Sequence, residues 1–196
     1  MIKEGLHDIP EGHIPAVVTR LEMTAPTLPA NMPFPDGFIA TRERPANDVY
    51  RAIFGAVGGP WLWNSRMVMD DAALTDTLDR ATTEVWIVRQ NEQALAFFEL
   101  DFSKDRACEL LVFGMIPSAT GQGLGRPLIA TAQRQAFARD IDVFVVKTCN
   151  WDSPHALGFY QKAGFVPTRF HVDVFPDPRL NGIYPRSTAP HVPCLS

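Results

Sequence analysis

Residues 115–126 read MIPSATGQGLGR and connect an apolar, β-prone run to a segment with helical patterning. Gly121, Gly123 and Gly125 permit positive φ angles and leave the neighbouring backbone amides uncovered by side chains. Unpaired amides at the start of a helix, together with the helix dipole, favour an anion. The stretch therefore predicts a turn that binds a pyrophosphate, although the same pattern also occurs in glycine-rich turns that bind nothing.

The spacing of these glycines excludes two common phosphate-binding motifs. A P-loop requires GxxxxGK[ST], which the sequence does not contain. A Rossmann fingerprint requires GxGxxG, with an acidic residue about 20 positions on at the end of the next strand. Here Arg126 follows GxGxG directly, and the next β-prone run ends in Lys147-Thr148-Cys149-Asn150.

A second segment, residues 152–165, reads DSPHALGFYQKAGF. Together the two segments resemble the GCN5-related N-acetyltransferase (GNAT) superfamily. Its cofactor motif runs V-x-P-x-x-[Q/R]-x-x-G-x-G/A, and its later helix runs N-x-x-A-x-x-x-Y-x-x-x-G-F. The resemblance covers about residues 84–170. It implies an acyltransferase that moves an acetyl group from acetyl-CoA to a primary amine by direct attack, with no covalent enzyme intermediate.

The resemblance also implies which residues bind coenzyme A. These are Phe113, Met115, Thr120, Gly121, Gln122, Gly123, Leu124, Gly125, Arg126, Asn150, Ser153 and Tyr160. Thr120 stands where the family usually has Gln or Arg, and Ser153 stands where it usually has Asn, for which Asn150 is a candidate substitute. These departures favour one alternative, a non-catalytic acyl-CoA sensor or interaction module. Another alternative is an enzyme that acetylates protein lysines or N-termini.

Two residues are candidates for proton transfer. Tyr160 carries a neutral O–H donor at pH 7, which suits protonation of a departing thiolate, although a core tyrosine on an amphipathic helix gives the same pattern. Glu109 stands at the spacing of the general base in histone-type members of the resembled family. Strand alternation predicts Glu109, Leu111 and Phe113 on one face, where burial would raise the pKa of the Glu109 carboxyl. Glu99 and Asp101 are rivals, and a water-mediated base is an alternative.

The acceptor site is expected before residue 84, because the cofactor motif occupies the later part of the chain. Trp61 and Trp63 lie in a turn-like stretch and are candidates to wall a pocket for a small-molecule amine. The alternative is a loop that aromatic side chains hold against the core. The identity of the amine and the acyl-chain length of the donor stay open.

Local patterns and the resemblance together predict a single α/β (α+β) domain over residues 1–196. Its central sheet is mixed, mostly antiparallel and of about seven strands, flanked by helices and splayed at the fourth and fifth strands. Helices are expected near 48–57, from 70 to about 80, at 123–138 and at 153–164, with Asp70 and either Asp152 or Ser153 as N-caps. Strands are expected at 84–89, 94–102, 108–116 and 143–148, and two more from 165 and at 170–175. Residues 1–45 are interpreted as a proline-rich extended segment, 84–170 as the core and 176–196 as a proline-rich tail that wraps the domain or meets a second subunit.

Composition narrows the class of protein further. The formal net charge of the 196 residues is −4 and no block of Lys or Arg occurs, so a nucleic-acid partner is not expected. No run approaches the roughly 18 apolar residues of a membrane span, and no secretion signal is recognised, so a cytoplasmic location is expected. The three cysteines show no CxxC spacing, which indicates neither a disulfide framework nor a metal site. A homodimer stays open.

Overall fold

The computed structural model describes residues 3–195. Within them the chain forms seven β-strands and four α-helices, with short 3₁₀ segments at Gly59–Trp61 and Pro117–Ala119. The strands are β1 (His13–Met23), β2 (Ile39–Glu43), β3 (Thr83–Gln90), β4 (Gln93–Asp101), β5 (Ala107–Met115), β6 (Val143–Cys149) and β7 (Val166–Pro176). The helices are α1 (Asn47–Gly58), α2 (Asp71–Asp79), α3 (Gly125–Ala136) and α4 (Ala156–Lys162).

The seven strands form one mixed sheet in the order β2-β3-β4-β5-β6-β1-β7. Every neighbouring pair is antiparallel except β5 and β6, which are parallel. The β5–β6 ladder ends where Leu110 pairs with Val146, so the carboxyl ends of these two strands continue without pairing to each other. The predicted mixed sheet of seven strands is thereby confirmed. The splay falls between β5 and β6, which are the fourth and fifth strands in the order of the sheet.

Sequence patterns do not predict β1, which lies between β6 and β7. Residues 1–45 are therefore not one extended surface segment, since they contain β1 and β2. The sequence of β1, HIPAVVTRLEM, includes a proline and two charged residues and does not alternate cleanly. Its partners come from the other end of the chain, as in the pairing of Val18 with Cys149 and with His171. Only these long-range ladders define β1 as a strand.

The proline-rich connection between β1 and β2 contains neither helix nor strand. Gln133 of α3 fixes it, because its Oε1 accepts the amides of Thr27 at 3.0 Å and Leu28 at 3.2 Å. The Thr27 hydroxyl also donates to the carbonyl of Ala163 at 2.7 Å. A side chain on Gly164, whose φ is +94°, would overlap Thr27. The connection thus lies against α3 and the end of α4.

The helix predictions differ from the structure mainly at one cap. The predicted cap of α2 is confirmed, since the Asp70 carboxylate accepts the amide of Ala73 at 2.8 Å. Neither Asp152 nor Ser153 caps α4. His155 occupies the N-cap position, and no side-chain hydrogen bond caps the helix there. The Asp152 carboxylate binds other groups instead, which are described with the candidate site below.

Strand β7 corrects a second prediction. Residues 166–176 form one strand of 11 residues at the edge of the sheet rather than two strands. One extra residue in β7, opposite the step from Arg20 to Leu21, makes an irregularity in the ladder without ending the strand. Across the described residues, no helix is both long and apolar enough to cross a membrane.

Apolar side chains pack against both faces of the sheet. Helices α3 and α4 cover one face, where the core includes Phe98, Leu128 and Phe144. Helices α1 and α2 cover the opposite face, where Phe54 and Phe97 are buried. The opening between β5 and β6 therefore lies between the α3–α4 face and the α1–α2 face of the sheet.

The C-terminal tail folds back on the domain and is held by a buried ion pair. Arg179 binds both carboxylate oxygens of Asp177, with 2.7 Å between Nη2 and Oδ2, and both side chains are 1% exposed. The same guanidinium donates to the carbonyls of Thr188, Val192 and Pro193. Val192 packs in a small cluster with Ile14 of β1 and Leu62. The tail therefore forms part of the surface beside β1.

Candidate active site

The glycine-rich turn leads from β5 into α3 and leaves backbone donors unpaired. Gly121 and Gly123 have φ angles of +82° and +79°, in the positive range that glycine permits and that the sequence predicts for this turn. Over residues 3–195, no protein group accepts a hydrogen bond from the amides of Gly121, Gly123, Leu124, Gly125 or Arg126. Five unpaired amides at the N-terminus of a 12-residue helix form an anion-binding arrangement.

Packing beneath the turn holds it against the sheet. Leu124 and Ala119 are buried in a cluster with Leu95 of β4. A side chain on Gly125 would place its Cβ 3.3 Å from the ring of Phe159, so this glycine allows α3 to approach α4 closely. The turn is therefore fixed by apolar contacts on its inner side while its amides stay open on the outer side.

A β-bulge in β5 lies where β5 leaves β6. Leu110 pairs with Leu100 and Val112 pairs with Glu99, so Leu111 is an extra residue and is 41% exposed. Because of the bulge, Phe113 packs on the α3–α4 face and Val112 on the α1–α2 face. The prediction that Glu109, Leu111 and Phe113 share one face is therefore wrong.

Glu109 differs from the predicted base in its electrostatics. Its carboxylate binds the Nζ of Lys147 at 2.7 Å and of Lys104 at 3.2 Å. Burial alone would raise the pKa of Glu109, but the hydrogen bonds and charges of the two lysines outweigh it and hold the pKa below its usual value. The expected raised pKa is thus contradicted, and Glu109 lies in the part of β5 that is still paired with β6.

The two rival carboxylates also have partners. Glu99 is fully buried and accepts hydrogen bonds from the Tyr50 hydroxyl and the Arg66 guanidinium. Asp101 accepts the amide and the hydroxyl of Ser103, at 2.9 and 2.7 Å. Both carboxylates are therefore hydrogen-bonded to neighbouring groups, and neither is a free base at the opening between β5 and β6.

Tyr160 lies on α4, packed among aromatic rings and 7% exposed. Its ring contacts Phe113, Phe159 and Phe165, with centroids 5.9, 5.6 and 6.0 Å apart. Among the described residues, none forms a hydrogen bond with its hydroxyl. Burial, and to a smaller extent the nearby Asp152 carboxylate, raises the pKa of Tyr160 well above its usual value. The hydroxyl is therefore a neutral donor whose proton is not committed to another protein group.

Trp63 bridges the opening on the other face of the sheet. Its indole Nε1 donates to Oδ1 of Asp152 at 2.9 Å. The second oxygen of Asp152 accepts the Thr148 hydroxyl at 2.8 Å and the Cys149 amide at 2.9 Å. The Trp63 ring leaves no space for a side chain on Gly58, which explains the glycine at the end of α1. Asp152 thereby ties the loop after α1 to the end of β6.

A cavity of about 190 Å³ lies beside this bridge. Its walls include both predicted tryptophans, Trp61 and Trp63, together with Leu111 of β5, Cys149 of β6, Trp151 and Phe175 of β7. Burial, and secondly the charge of Asp152, raises the pKa of the Cys149 thiol to about 11. That thiol stays protonated near neutral pH and is a poor nucleophile. A larger hollow of about 410 Å³ between the starts of α1 and α2 contains none of the predicted site residues.

The remaining predicted cofactor residues divide into two groups. Met115 is half-buried beside the turn, while Thr120 and Gln122 are exposed on it. Asn150 accepts the amide of Val17 at 2.7 Å through its side-chain oxygen, so it anchors β1 to the end of β6. The Ser153 hydroxyl accepts the amide of His155 at 3.4 Å.

Comparison with protein families identifies the chain. A family model described as Acetyltransferase (GNAT) family matches residues 48–165, which is more than half of the sequence. The chain belongs to this family. A comparison with curated proteins finds no match.

Solved structures share the GNAT fold at low sequence identity. A conserved protein of unknown function from Staphylococcus epidermidis is 14% identical, with a TM-score of 0.62 over 87% of this chain and 69% of its own. A GCN5-related N-acetyltransferase from Kribbella flavida is 20% identical, with a TM-score of 0.54 over 87% of this chain and 63% of its own. The enzyme AAC(6′)-Iy, solved with a bisubstrate analogue of CoA and acetylneamine, is 18% identical, with a TM-score of 0.53 over 67% of this chain and 92% of its own.

Acetyl-CoA is the cofactor of GNAT acetyltransferases, and the residues present here fit it. The five unpaired amides suit its pyrophosphate. Beyond Leu110 the β6 side of β5 is unpaired, and this strand edge runs from Leu111 past Phe113, whose ring contacts Tyr160, to the turn. Thr120 and Ser153, the two departures from the family pattern, leave these backbone features intact.

Sequence reasoning missed three features of this GNAT site. The sequence predicts Asp152 only as a candidate helix cap, whereas the structure shows it bonded to Trp63 and to the end of β6. The bulge at Leu111, which exposes that side chain, follows only from the register of β5 against β4. Trp151 lines the cavity, and its one sequence signal is its position three residues after the predicted strand 143–148.

Proposed function

We propose that the protein transfers an acetyl group from acetyl-CoA to a primary amine held in the cavity beside Leu111. The observation that carries the proposal is the position of that cavity. Strands β5 and β6 diverge after Leu110. Leu111 of β5 and Cys149 at the end of β6 both line the cavity. The glycine turn that follows β5 presents its amides at the same end of the sheet. Donor and acceptor sites thus meet at one opening.

Acetyl-CoA, when bound, supplies a thioester carbonyl carbon. The amine nitrogen would form a bond to that carbon, the C–S bond would break, and the sulfur would take a proton. Tyr160 is the proton donor in this proposal, because its hydroxyl is neutral and has no partner among the described residues. The nitrogen would lose one proton as the amide forms, and water would carry that proton back to Tyr160, so that the tyrosine is neutral again at the end of the reaction.

The proposal does not require a free carboxylate as general base. Glu109 is ionised but bound by two lysines, and Glu99 is bound by Tyr50 and Arg66. An amine that enters an apolar cavity loses hydration, which lowers the pKa of its ammonium form and favours the neutral nucleophile. The high pKa of Cys149 supports direct attack over an acetyl-cysteine intermediate.

The test is to incubate the protein with acetyl-CoA and a panel of primary amines, and to measure released CoA thiol and acetylated product by mass. Amine-dependent release of CoA with a matching product is expected. Binding of acetyl-CoA with no product from any amine or peptide would contradict catalysis and favour an acyl-CoA sensor. Product only with peptides would favour acetylation of protein lysines or N-termini.

A further inference from the structure

The chemistry of the cavity walls points to a class of acceptor. All 12 residues that line it are uncharged, and three of them are tryptophans. Asp152, the nearest carboxylate in the bridge, already accepts three hydrogen bonds, from Trp63, Thr148 and Cys149. A second ammonium group on a substrate would therefore find no carboxylate in the cavity walls to pair with, which is unfavourable for a buried charge.

The volume of the cavity also limits the size of the acceptor amine. A cavity of about 190 Å³ is somewhat larger than the roughly 150 Å³ that binds benzene in an engineered protein core. One aromatic ring with a short chain fills such a space. The faces of Trp61 and Trp63 suit the ring of such an amine.

We infer that the acceptor is a primary amine with one apolar, ring-sized substituent, an arylalkylamine in chemical class, and not a polyamine or an aminoglycoside. This inference rests on the proposed function. It deepens that function by naming the kind of amine that the walls recognise.

The experiment compares 2-phenylethylamine with spermidine and kanamycin at fixed acetyl-CoA. We expect kcat/KM for 2-phenylethylamine to exceed the other values by on the order of 100-fold, since a buried unpaired charge costs several kcal/mol and each 1.4 kcal/mol is tenfold. Quenching of tryptophan fluorescence by 2-phenylethylamine gives a binding readout that does not depend on turnover. Preference for spermidine or kanamycin, or no quenching by 2-phenylethylamine, would overturn the inference.

A matched pair of variants tests the walls directly. Ser65→Asp places a carboxylate on the cavity, whereas Val68→Asp places one on an exposed position of the same loop that does not line the cavity. Only Ser65→Asp should raise the relative kcat/KM for spermidine, and equal effects of the two variants would count against the inference. If acetyl-CoA does not bind at all, the proposed function fails; if it binds and is consumed with cationic amines, only the acceptor class fails.

Strand β7 carries a second, independent inference. It is the edge strand of the sheet, and Phe170, Val172 and Val174 on one of its faces are 73%, 49% and 40% exposed. Val17 of β1 continues this apolar face. A long, exposed, apolar edge strand is a site for pairing with another chain.

The sequence of β7 is complementary to itself in one antiparallel register. Pairing of two copies about His171 sets Arg169 opposite Asp173 of the second copy, twice by symmetry. Neither Arg169 nor Asp173 has an ion-pair partner within the described chain. The same register sets Phe170 opposite Val172 of the second copy on the apolar face. Pro167 and Pro176, which lack an N–H, bound the pairing segment.

We propose that two copies of this chain pair through β7 in that register to form a symmetric dimer with a continuous sheet. Light scattering after size exclusion should give a dimer mass for the wild type at micromolar concentrations. Arg169→Asp should weaken dimerisation by about tenfold or more, because two attractive cross-strand pairs become repulsive. The double variant Arg169→Asp with Asp173→Arg should restore it.

The control for this test is Arg186→Asp, which makes the same charge change at an exposed tail residue. It should leave the dimer intact. A monomeric wild type at 100-fold higher concentration than used for the variants would overturn the proposal. A dimer that Arg169→Asp leaves intact, or that the double variant does not restore, would exclude this register.

Discussion

At the residue scale, Tyr160 carries the proposed proton transfer. Tyr160→Phe keeps the ring contacts with Phe113 and Phe165 but removes the hydroxyl. We expect kcat to fall on the order of 100-fold or more, since positioned general acids contribute that much, while acetyl-CoA affinity stays nearly unchanged. Steady-state kinetics and calorimetric titration measure the two quantities. Unchanged kcat would remove the assignment.

Glu109 is expected to act on stability rather than on turnover. Because the folded protein holds the pKa of Glu109 below the usual 4.5, the ionised carboxylate stabilises the fold above that pH. The contribution is lost as pH falls through the lowered pKa. Glu109→Gln should therefore reduce the free energy of unfolding at pH 7, and the difference from wild type should shrink below about pH 4.5.

Denaturant unfolding at pH 7 and at acid pH measures that difference. The kcat of Glu109→Gln should stay close to the wild-type value, with Lys104→Ala as a control that removes one partner of the same carboxylate. A large loss of kcat, with the pH-rate profile losing its acidic limb, would instead restore Glu109 as the general base.

At the element scale, alanine substitutions separate the effect of the glycine turn on stability from its effect on acetyl-CoA binding. Gly121 and Gly182 both have positive φ, +82° and +73°, and an added Cβ would meet nothing within 4 Å at either position. Alanine at each should cost roughly 1–2 kcal/mol of stability from backbone strain alone. Only Gly121→Ala should also weaken acetyl-CoA binding, as measured by calorimetric titration. Equal affinity in both variants would mean that the turn does not hold the cofactor.

Elements that are defined locally were predictable, and elements defined by distant partners were not. The Asp70 cap and the glycine turn rest on residues within a few positions of each other, so their sequence patterns were sufficient. The Leu111 bulge depends on the register with β4, and the Trp63–Asp152 bond joins residues 89 positions apart. A pKa shift such as that of Glu109 depends on Lys147, which the sequence does not place next to it.

At the scale of the whole molecule, both ends of the chain complete the fold. Strand β1 enters the sheet between β6 and β7, and the tail packs against β1 and the loop that carries Trp61. Because these contacts join the first and last thirds of the chain, the resemblance over residues 84–170 predicts the central sheet but not its completion. The cavity walls depend on that completion, since Ile14 and Phe175 line them.

The buried pair of Asp177 and Arg179 is expected to hold the tail. Arg179→Ala leaves a buried carboxylate without its partner, which should cost about 3–5 kcal/mol of stability. The double variant Asp177→Asn with Arg179→Met removes both charges and should cost less. Thermal unfolding and limited proteolysis of the tail measure the effects. Equal stability of the single variant and the wild type would show that the pair does not anchor the tail.

The central claim is that the opening between β5 and β6 holds acetyl-CoA, and thermal unfolding in the presence of ligands tests it most directly. At 100 times its dissociation constant, a ligand stabilises the fold by about 2.7 kcal/mol, which raises the midpoint by several degrees. Acetyl-CoA and free CoA should both raise the midpoint, whereas ATP and NAD should not. No shift at millimolar acetyl-CoA, or an equal shift with ATP, would contradict the claim.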